Sequence, residues 1–283
     1  MSEFQSVAFR AIDGPVSNED LEFMRQQSSR AEITPWSFDN GYRYGDFRGD
    51  AAEMLRRGYD FHLHYANFGI RTLMIRLPNG LPDAKAAQRY FEQDSLELLK
   101  DKRGPGRILR IRPYLEPGEL DDPGESEDLV ERLLPLRAEI IDGDLRPLYL
   151  AHLAVAYDSN HDRDEEHEAP VPAGLDQLTD AQQALAELYG LSEALIAAAA
   201  QNSPPLPNRT DPKDDYAVWL ASQPEATKNA WLAQLMADSH TAVRREILAE
   251  FQKSHRVSGW PVTRSGRTIA ELDAAAEVVE LEL

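Results

Sequence analysis

Cysteine is absent from all 283 residues. That excludes disulfide staples, thiolate metal ligands and cysteine nucleophiles, and suits a reducing compartment. Long apolar runs are missing as well. The longest, ALIAAAA at 194–200, falls far short of the ~20 residues a membrane-spanning helix needs. The N-terminal MSEFQSVAFRAID has no basic stretch followed by an apolar run, so a secretory signal is not expected and a cytoplasmic location is. The chain also lacks a GxSxG elbow, the P-loop glycine spacing with its closing Lys-Ser/Thr, and a dinucleotide fingerprint. Each of those carries a specific chemistry, and without them no cofactor is expected.

Acid, by contrast, is abundant: 49 Asp and Glu against 30 Lys and Arg, a net charge of −19. Residues 1–116 hold 17 of each sign. Residues 117–283 therefore hold 49 − 17 = 32 acids and 30 − 17 = 13 bases, the whole surplus. So acidic a surface repels nucleic acid and anionic membrane, because phosphate contacts need cations. It attracts a basic partner protein. An apolar content of 42% fills a real core in a chain long enough for two domains.

The stretch DAAEMLRRGYDFHLHYANFGIRTLMIRLP at 50–78 organises the N-terminal part. Asp50 caps a short helix that stops at Gly58. Paired strands follow, turning near Gly69. Before it, FQSVAFRAI reads as a strand, Ser17 as an N-cap with Asp20 completing an acidic capping box, and AEITPWSF as a single strand with Pro35 at an edge or bulge. After it, RILRIR reads as a strand with Leu109 and Ile111 on one face and Arg110, Arg112 and Ile108 on the other. Past EPGELDDPGESED the apolar period becomes helical. The expectation is an α+β protein: an α/β platform with a mixed sheet at 1–116, a linker and helical connector at 117–157, a charged linker at 158–173 and an acidic all-helical domain at 174–283.

Two resemblances add to this. VAFRAIDGPVS, MRQQSSRAEITPWSF, the 50–78 stretch, KDKRGPG, GDLRPLYLAHLAV and WLAQLMADSHTAVRREILAEF are similar to stretches of a family of bacterial cytoplasmic proteins with no assigned function. That likeness implies a shared fold and brings no catalytic residue. Residues 225–251 resemble one unit of a HEAT-type helical repeat through Leu232, Leu235, Asp238, Val243, Arg244, Ile247, Leu248 and Phe251. The likeness implies a turn capped by Asp238 and an Arg244 that stacks on a neighbouring unit. A solenoid needs about three repeats, and no second copy is present at a regular period.

Three functional readings follow. The leading one is a non-enzymatic interaction or accessory subunit of a bacterial assembly, docking a partner, with a basic surface, through the acidic helical half. The second is a metal-dependent hydrolase, a nuclease among its forms, centred on Asp60, His62 and His64. On a strand these three share one face, and imidazole with carboxylate at such spacing suits a divalent metal, with Asp46 or Asp50 nearest to add a ligand. The competing explanation is a polar face of an exposed strand, or two histidines hydrogen-bonded beneath a helix, since His-x-His arises readily by chance. The third is phosphate or nucleic-acid binding through Lys102, Arg103, Arg107, Arg110 and Arg112 around a Gly-Pro-Gly turn. Few aromatic neighbours suit base stacking there. His161 and His167 lie among acids in a presumed linker, where solvated low complexity is the simpler explanation.

Overall fold

Alternation decides the sheet. In FHLHYA, Phe61, Leu63 and Tyr65 are fully buried on one side of the strand while His62 and His64 take the other. The computed structural model describes residues 4–43, 46–91, 95–102, 105–115, 123–157, 165–206, 212–237, 241–254 and 259–282.

In chain order the elements are β1 (Gln5–Arg10), α1 (Asn18–Gln27), β2 (Glu32–Ile33), β3 (Ser37–Tyr42), α2 (Ala51–Arg57), β4 (Phe61–Ala66), β5 (Arg71–Leu77), α3 (Ala84–Ala87) with a 3₁₀ turn Gln88–Tyr90, β6 (Leu96–Lys100) and β7 (Arg107–Ile111). Then come α4 (Pro123–Leu133), α5 (Leu136–Ile141), α6 (Arg146–Ala156), β8 (Val171–Pro172), α7 (Asp180–Tyr189), α8 (Glu193–Ala200), α9 (Pro212–Ser222), α10 (Glu225–Ala237), α11 (Thr241–Ser254), β9 (Val262–Thr263) and α12 (Ile269–Glu280). The protein is α+β.

Seven strands form one sheet in the order β2-β3-β1-β4-β5-β7-β6. Every pairing is antiparallel, where a mixed sheet was expected. Connectivity accounts for three of the six: β2–β3, β4–β5 and β6–β7 are hairpins, which join antiparallel strands only. Gly69 closes the β4–β5 turn at φ +106°, its N–H donating to the Ala66 carbonyl.

One sheet face carries Val7, Phe9, Phe38, Met74 and Ile108, covered by Leu21 and Met24 of α1 and Met54 and Leu55 of α2. The caps read from sequence are in place: Ser17 accepts from the Asp20 N–H, Asp50 from the Glu53 N–H, and Gly58 ends α2. The opposite face carries Phe61, Leu63, Leu73, Ile75, Leu109 and Ile111. These merge with Leu133, Leu148, Leu153, Leu185 and Leu195 of the helices into one continuous apolar core. Packing therefore does not break at residue 116, and α6, inside the expected connector, is buried along its whole length.

Two local readings are corrected. AEITPWSF is not one strand: Thr34–Ser37 turns the chain, with the Thr34 hydroxyl accepting from the Trp36 and Ser37 N–H groups, and Pro35 sits in that turn. The C-terminal part is not all helix either. β8 and β9 pair as a two-stranded ribbon, extended by a bridge between His167 and Thr268. Thus 165–173, expected as linker, is ordered against the segment that leads into α12. His161 lies outside the described residues. Among the described residues no helix is long and apolar enough to cross a membrane.

Candidate functional site

The histidine strand comes first, because it carried the sharpest chemical expectation. His62 and His64 do share a face, beneath α2 and the loop around Phe47. His62 is stacked on Phe9 with ring centroids 4.1 Å apart, and its Nδ1 donates to the Ala8 carbonyl at 3.1 Å. His64 Nε2 donates to Gln5 Oε1 at 2.8 Å, and Gln5 Nε2 in turn donates to Asp46 Oδ1 at 2.9 Å. Asp46 thus reaches His64 through an intervening amide rather than across a shared ligand, and Asp50 is spent on the helix cap.

Asp60, fully buried, turns elsewhere. Its Oδ2 accepts from the backbone N–H groups of Ile12 at 2.8 Å and Asp13 at 3.2 Å. Its Oδ1 faces Arg76 Nη1 at 3.4 Å and Arg137 Nη2 at 3.6 Å. Among the described residues no group of three or more His, Asp or Glu side chains is placed to hold a metal ion. Burial fixes the histidines as neutral rings. Desolvation, helped by repulsion from His64 and opposed by the Ala8 carbonyl, takes His62 down to about 3. Desolvation, opposed by the attraction of Asp46, takes His64 to about 4.

These depressed values carry a stability consequence. The unfolded histidines titrate near 6.5, so the unfolded chain binds protons first as pH falls. The contribution of neutral burial is complete above about pH 6.5 and is lost between there and pH 4 to 3, by up to about 1.4 kcal/mol per pH unit per ring. Urea melts at pH 7, 6 and 5 are expected to show that slope, and His62→Phe, which keeps the ring stack, is expected to remove one histidine's share. Equal slopes in the two proteins would mean that His62 is not held neutral.

The basic strand does not converge on one anion. Arg110 shares a face with Glu97 directly opposite and forms an ion pair with it. Arg107 Nη1 donates to the carbonyls of Pro105 and Gly106 at 3.1 and 2.9 Å. Lys102 and Arg112 are exposed at opposite ends of the hairpin. Five residues of strand at ~3.3 Å each part Arg107 from Arg112 by about 16 Å. Arg103 falls outside the described residues. Gly106 has a packing reason: a Cβ there would lie 2.6 Å from the Leu77 carbonyl oxygen and 2.8 Å from that of Pro78.

What sequence reasoning missed is a buried ion network at one end of the sheet. Arg137, on α5, donates Nη1 to Asp13 Oδ1 at 3.0 Å, pairs its Nη2 with Asp13 Oδ2, and donates Nε to the Arg76 carbonyl at 2.8 Å. Arg76 Nε donates to Asp101 Oδ2 at 2.9 Å. With Asp60 this makes three carboxylates and two guanidiniums. Arg244 on α11 donates to the carbonyls of Ile12 and Asp13 beside it. The arginine singled out by the HEAT-type likeness therefore ties its hairpin to the sheet. The available signal was an arginine set in an apolar run, LLPLRAEII and TLMIRLP, since arginine is almost never buried unpaired.

The acidic half has a defined surface. α7 carries Asp180 and Glu187, α8 carries Glu193, and α12 carries Glu271, Asp273, Glu277 and Glu280; none of the three helices contains a lysine or arginine. All but Asp273 are exposed. α12 packs along α8. Arg267, just before α12, is pinned inward by Glu168, which also accepts from the Tyr149 hydroxyl, and it donates Nη1 to the Ala198 carbonyl. Its charge is spent beneath the face. Arg132 of α4 reaches Glu187 with two bonds of 2.7 and 2.8 Å at one margin.

Between α7 and α8 lies a groove of about 620 Å³. Leu175, Leu178, Leu191 and Ile196 give it an apolar floor, Ala186, Ala197 and Ala200 keep its walls low, and every charged residue lining it is acidic: Asp176, Glu187 and Glu193. A second cleft of about 450 Å³ beside β3 mixes signs, with Arg30 and Arg43 beside Glu32 and Asp39. Comparison of the chain with protein-family models, with curated proteins and with solved structures gave no match.

Proposed function

We propose that this chain is a non-enzymatic interaction subunit that binds a basic partner protein through the face formed by α7, α8 and α12. The observation that carries the reading is the single sign of charge on those helices: seven carboxylates and no lysine or arginine. Complementary potential steers encounter and rejects partners of like charge. The platform suits such a role, because one core joins the sheet to these helices and holds the face rigid. The side chains with catalytic potential in the sheet, Asp60, His62 and His64, are occupied by internal partners.

The test is affinity capture on the full chain from its source cells, eluted by a salt gradient. A stoichiometric partner with a basic surface, released steeply as ionic strength rises, is the expected result. A chain that captures no stoichiometric partner at low salt, or one whose partner is acidic and salt-resistant, would overturn the reading.

A further inference from the structure

Resting on that reading, we infer that the groove between α7 and α8 is the anchor point of the face and takes the apolar stripe of a basic amphipathic helix. Three features specify the occupant. The groove is open rather than enclosed, being walled by successive turns of two helices. On α7 it is lined by Gln183, Ala186 and Glu187, and on α8 by Glu193, Ile196, Ala197 and Ala200. Those spacings are i, i+3, i+4 and i+7, the side-chain rows that accept the ridge of a third helix.

Its floor is apolar and incompletely covered. Leu178, Leu191, Ile196 and Ala200 are all partly exposed while packing on the main core. At about 620 Å³ the volume lies within the ~300–1,000 Å³ range of binding pockets, room for several apolar side chains spaced as on one helix face. The small residues matter: alanines at 186, 197 and 200 let a helix backbone approach closely, where larger side chains would fill the space.

Charge then sets the sign. Asp176, Glu187 and Glu193 rim the groove and no lysine or arginine lines it; Glu187 is bridged to Arg132 at the margin, which leaves Asp176 and Glu193 as the rim carboxylates that select for a cation. An acidic or phosphorylated segment would meet repulsion from Asp176 and Glu193, whereas lysines flanking an apolar stripe would meet those carboxylates. The mixed-sign cleft beside β3 offers no such selection. Nor do the exposed Leu232 and Met236 of α10, a helix that carries charges of both signs in Glu225 and Lys228.

The test uses fluorescein-labelled synthetic helical peptides of one length: one with leucines on one face and lysines elsewhere, the other with glutamates in place of the lysines. Fluorescence anisotropy with the full chain is expected to show saturable binding of the lysine peptide alone. Two substitutions at the exposed Ala197 probe the groove itself. Ala197→Arg adds an opposing charge, and Ala197→Trp fills the space without changing charge; each is expected to weaken binding at least tenfold, with circular dichroism melts confirming that both variants fold. If the lysine peptide binds both variants as tightly as the parent, yet loses affinity to Glu277→Lys/Glu280→Lys on α12, the groove assignment falls while the acidic-face reading stands. If the lysine peptide does not bind, or the glutamate peptide binds equally well, both fall.

Discussion

Replacing Arg137 with alanine is expected to destabilise the fold by about 3–5 kcal/mol, the usual consequence of removing one member of a buried ion network. The side chain of Arg137 is 4% exposed and that of Asp60 is not exposed at all. Desolvation opposes the guanidinium charge, but the attraction of Asp60 and Asp13 outweighs it, and the Arg137 pKa lies above its ordinary value. Truncation would strip Asp13 of its two-bond partner and leave Asp60, in a dry site, without the second of the two guanidiniums that face it. It would also free the Arg76 carbonyl that Arg137 Nε holds at 2.8 Å. In a chain of this size the loss corresponds to a fall in melting temperature of roughly 10 °C.

The mechanism can be separated from simple loss of packing. Arg137→Met keeps most of the volume but leaves the same charges stranded, so it is expected to be nearly as damaging as alanine. Combining it with Asp13→Asn and Asp60→Asn removes the stranded charges and is expected to recover a large part of the loss. Urea unfolding of the single and combined variants reads this directly. A cost below about 1 kcal/mol for Arg137→Ala, the size of an exposed surface pair, would mean that the network is not buried as described. α5 would then not be locked to the sheet by charge.

How much of this was legible in the sequence depends on the range of the interaction. The strands around Gly69, the caps at Ser17 and Asp50 and the helix end at Gly58 all depend on residues within a few positions of each other. Period-two alternation likewise placed Leu109 and Ile111 opposite Ile108 and Arg110. Alternation gives a side chain's face but not its neighbour. His62 and His64 share the expected side, yet Phe9, Ala8 and Gln5 arrive there from a strand more than fifty residues away. Asp60 shows the limit most clearly, because one of the two arginines that face it is supplied by α5, in the part of the chain expected to be a connector. The ribbon of β8 and β9 could not be read at all: each strand has two residues, and their pairing spans about ninety positions. Pro35 misled for a different reason. A proline in an apolar run suits either an edge strand or a turn, and the Thr34 hydroxyl decides for the turn.

The largest functional effect is expected from reversing charge on the acidic face. Glu187, Glu277 and Glu280 are exposed and stand near the C-terminal ends of α7 and α12. Lysine at these positions complements the helix dipole; at 187 it also exchanges the exposed pair with Arg132 for a like-charge contact, so the triple variant is expected to lose about 1 kcal/mol of stability and to stay folded. The triple variant changes net charge only from −19 to −19 + 6 = −13, so the protein stays strongly acidic overall. At the interface, three attractive contacts become repulsive ones, each pair of like charges working against the partner. A weakening of at least about a hundredfold is expected, equivalent to ~2.7 kcal/mol. Reversal of the same number of acids on α1, Glu19, Asp20 and Glu22, changes net charge equally and is expected to leave the affinity within about threefold of the parent.

The most direct measurement is therefore the dissociation constant of the captured partner for the parent chain, the α7/α12 triple variant and the α1 triple variant, taken side by side at one ionic strength. Loss of binding confined to the α7/α12 variant is the expected result. Equal affinities for all three chains, or a greater loss in the α1 variant, would contradict the assignment of docking to this face.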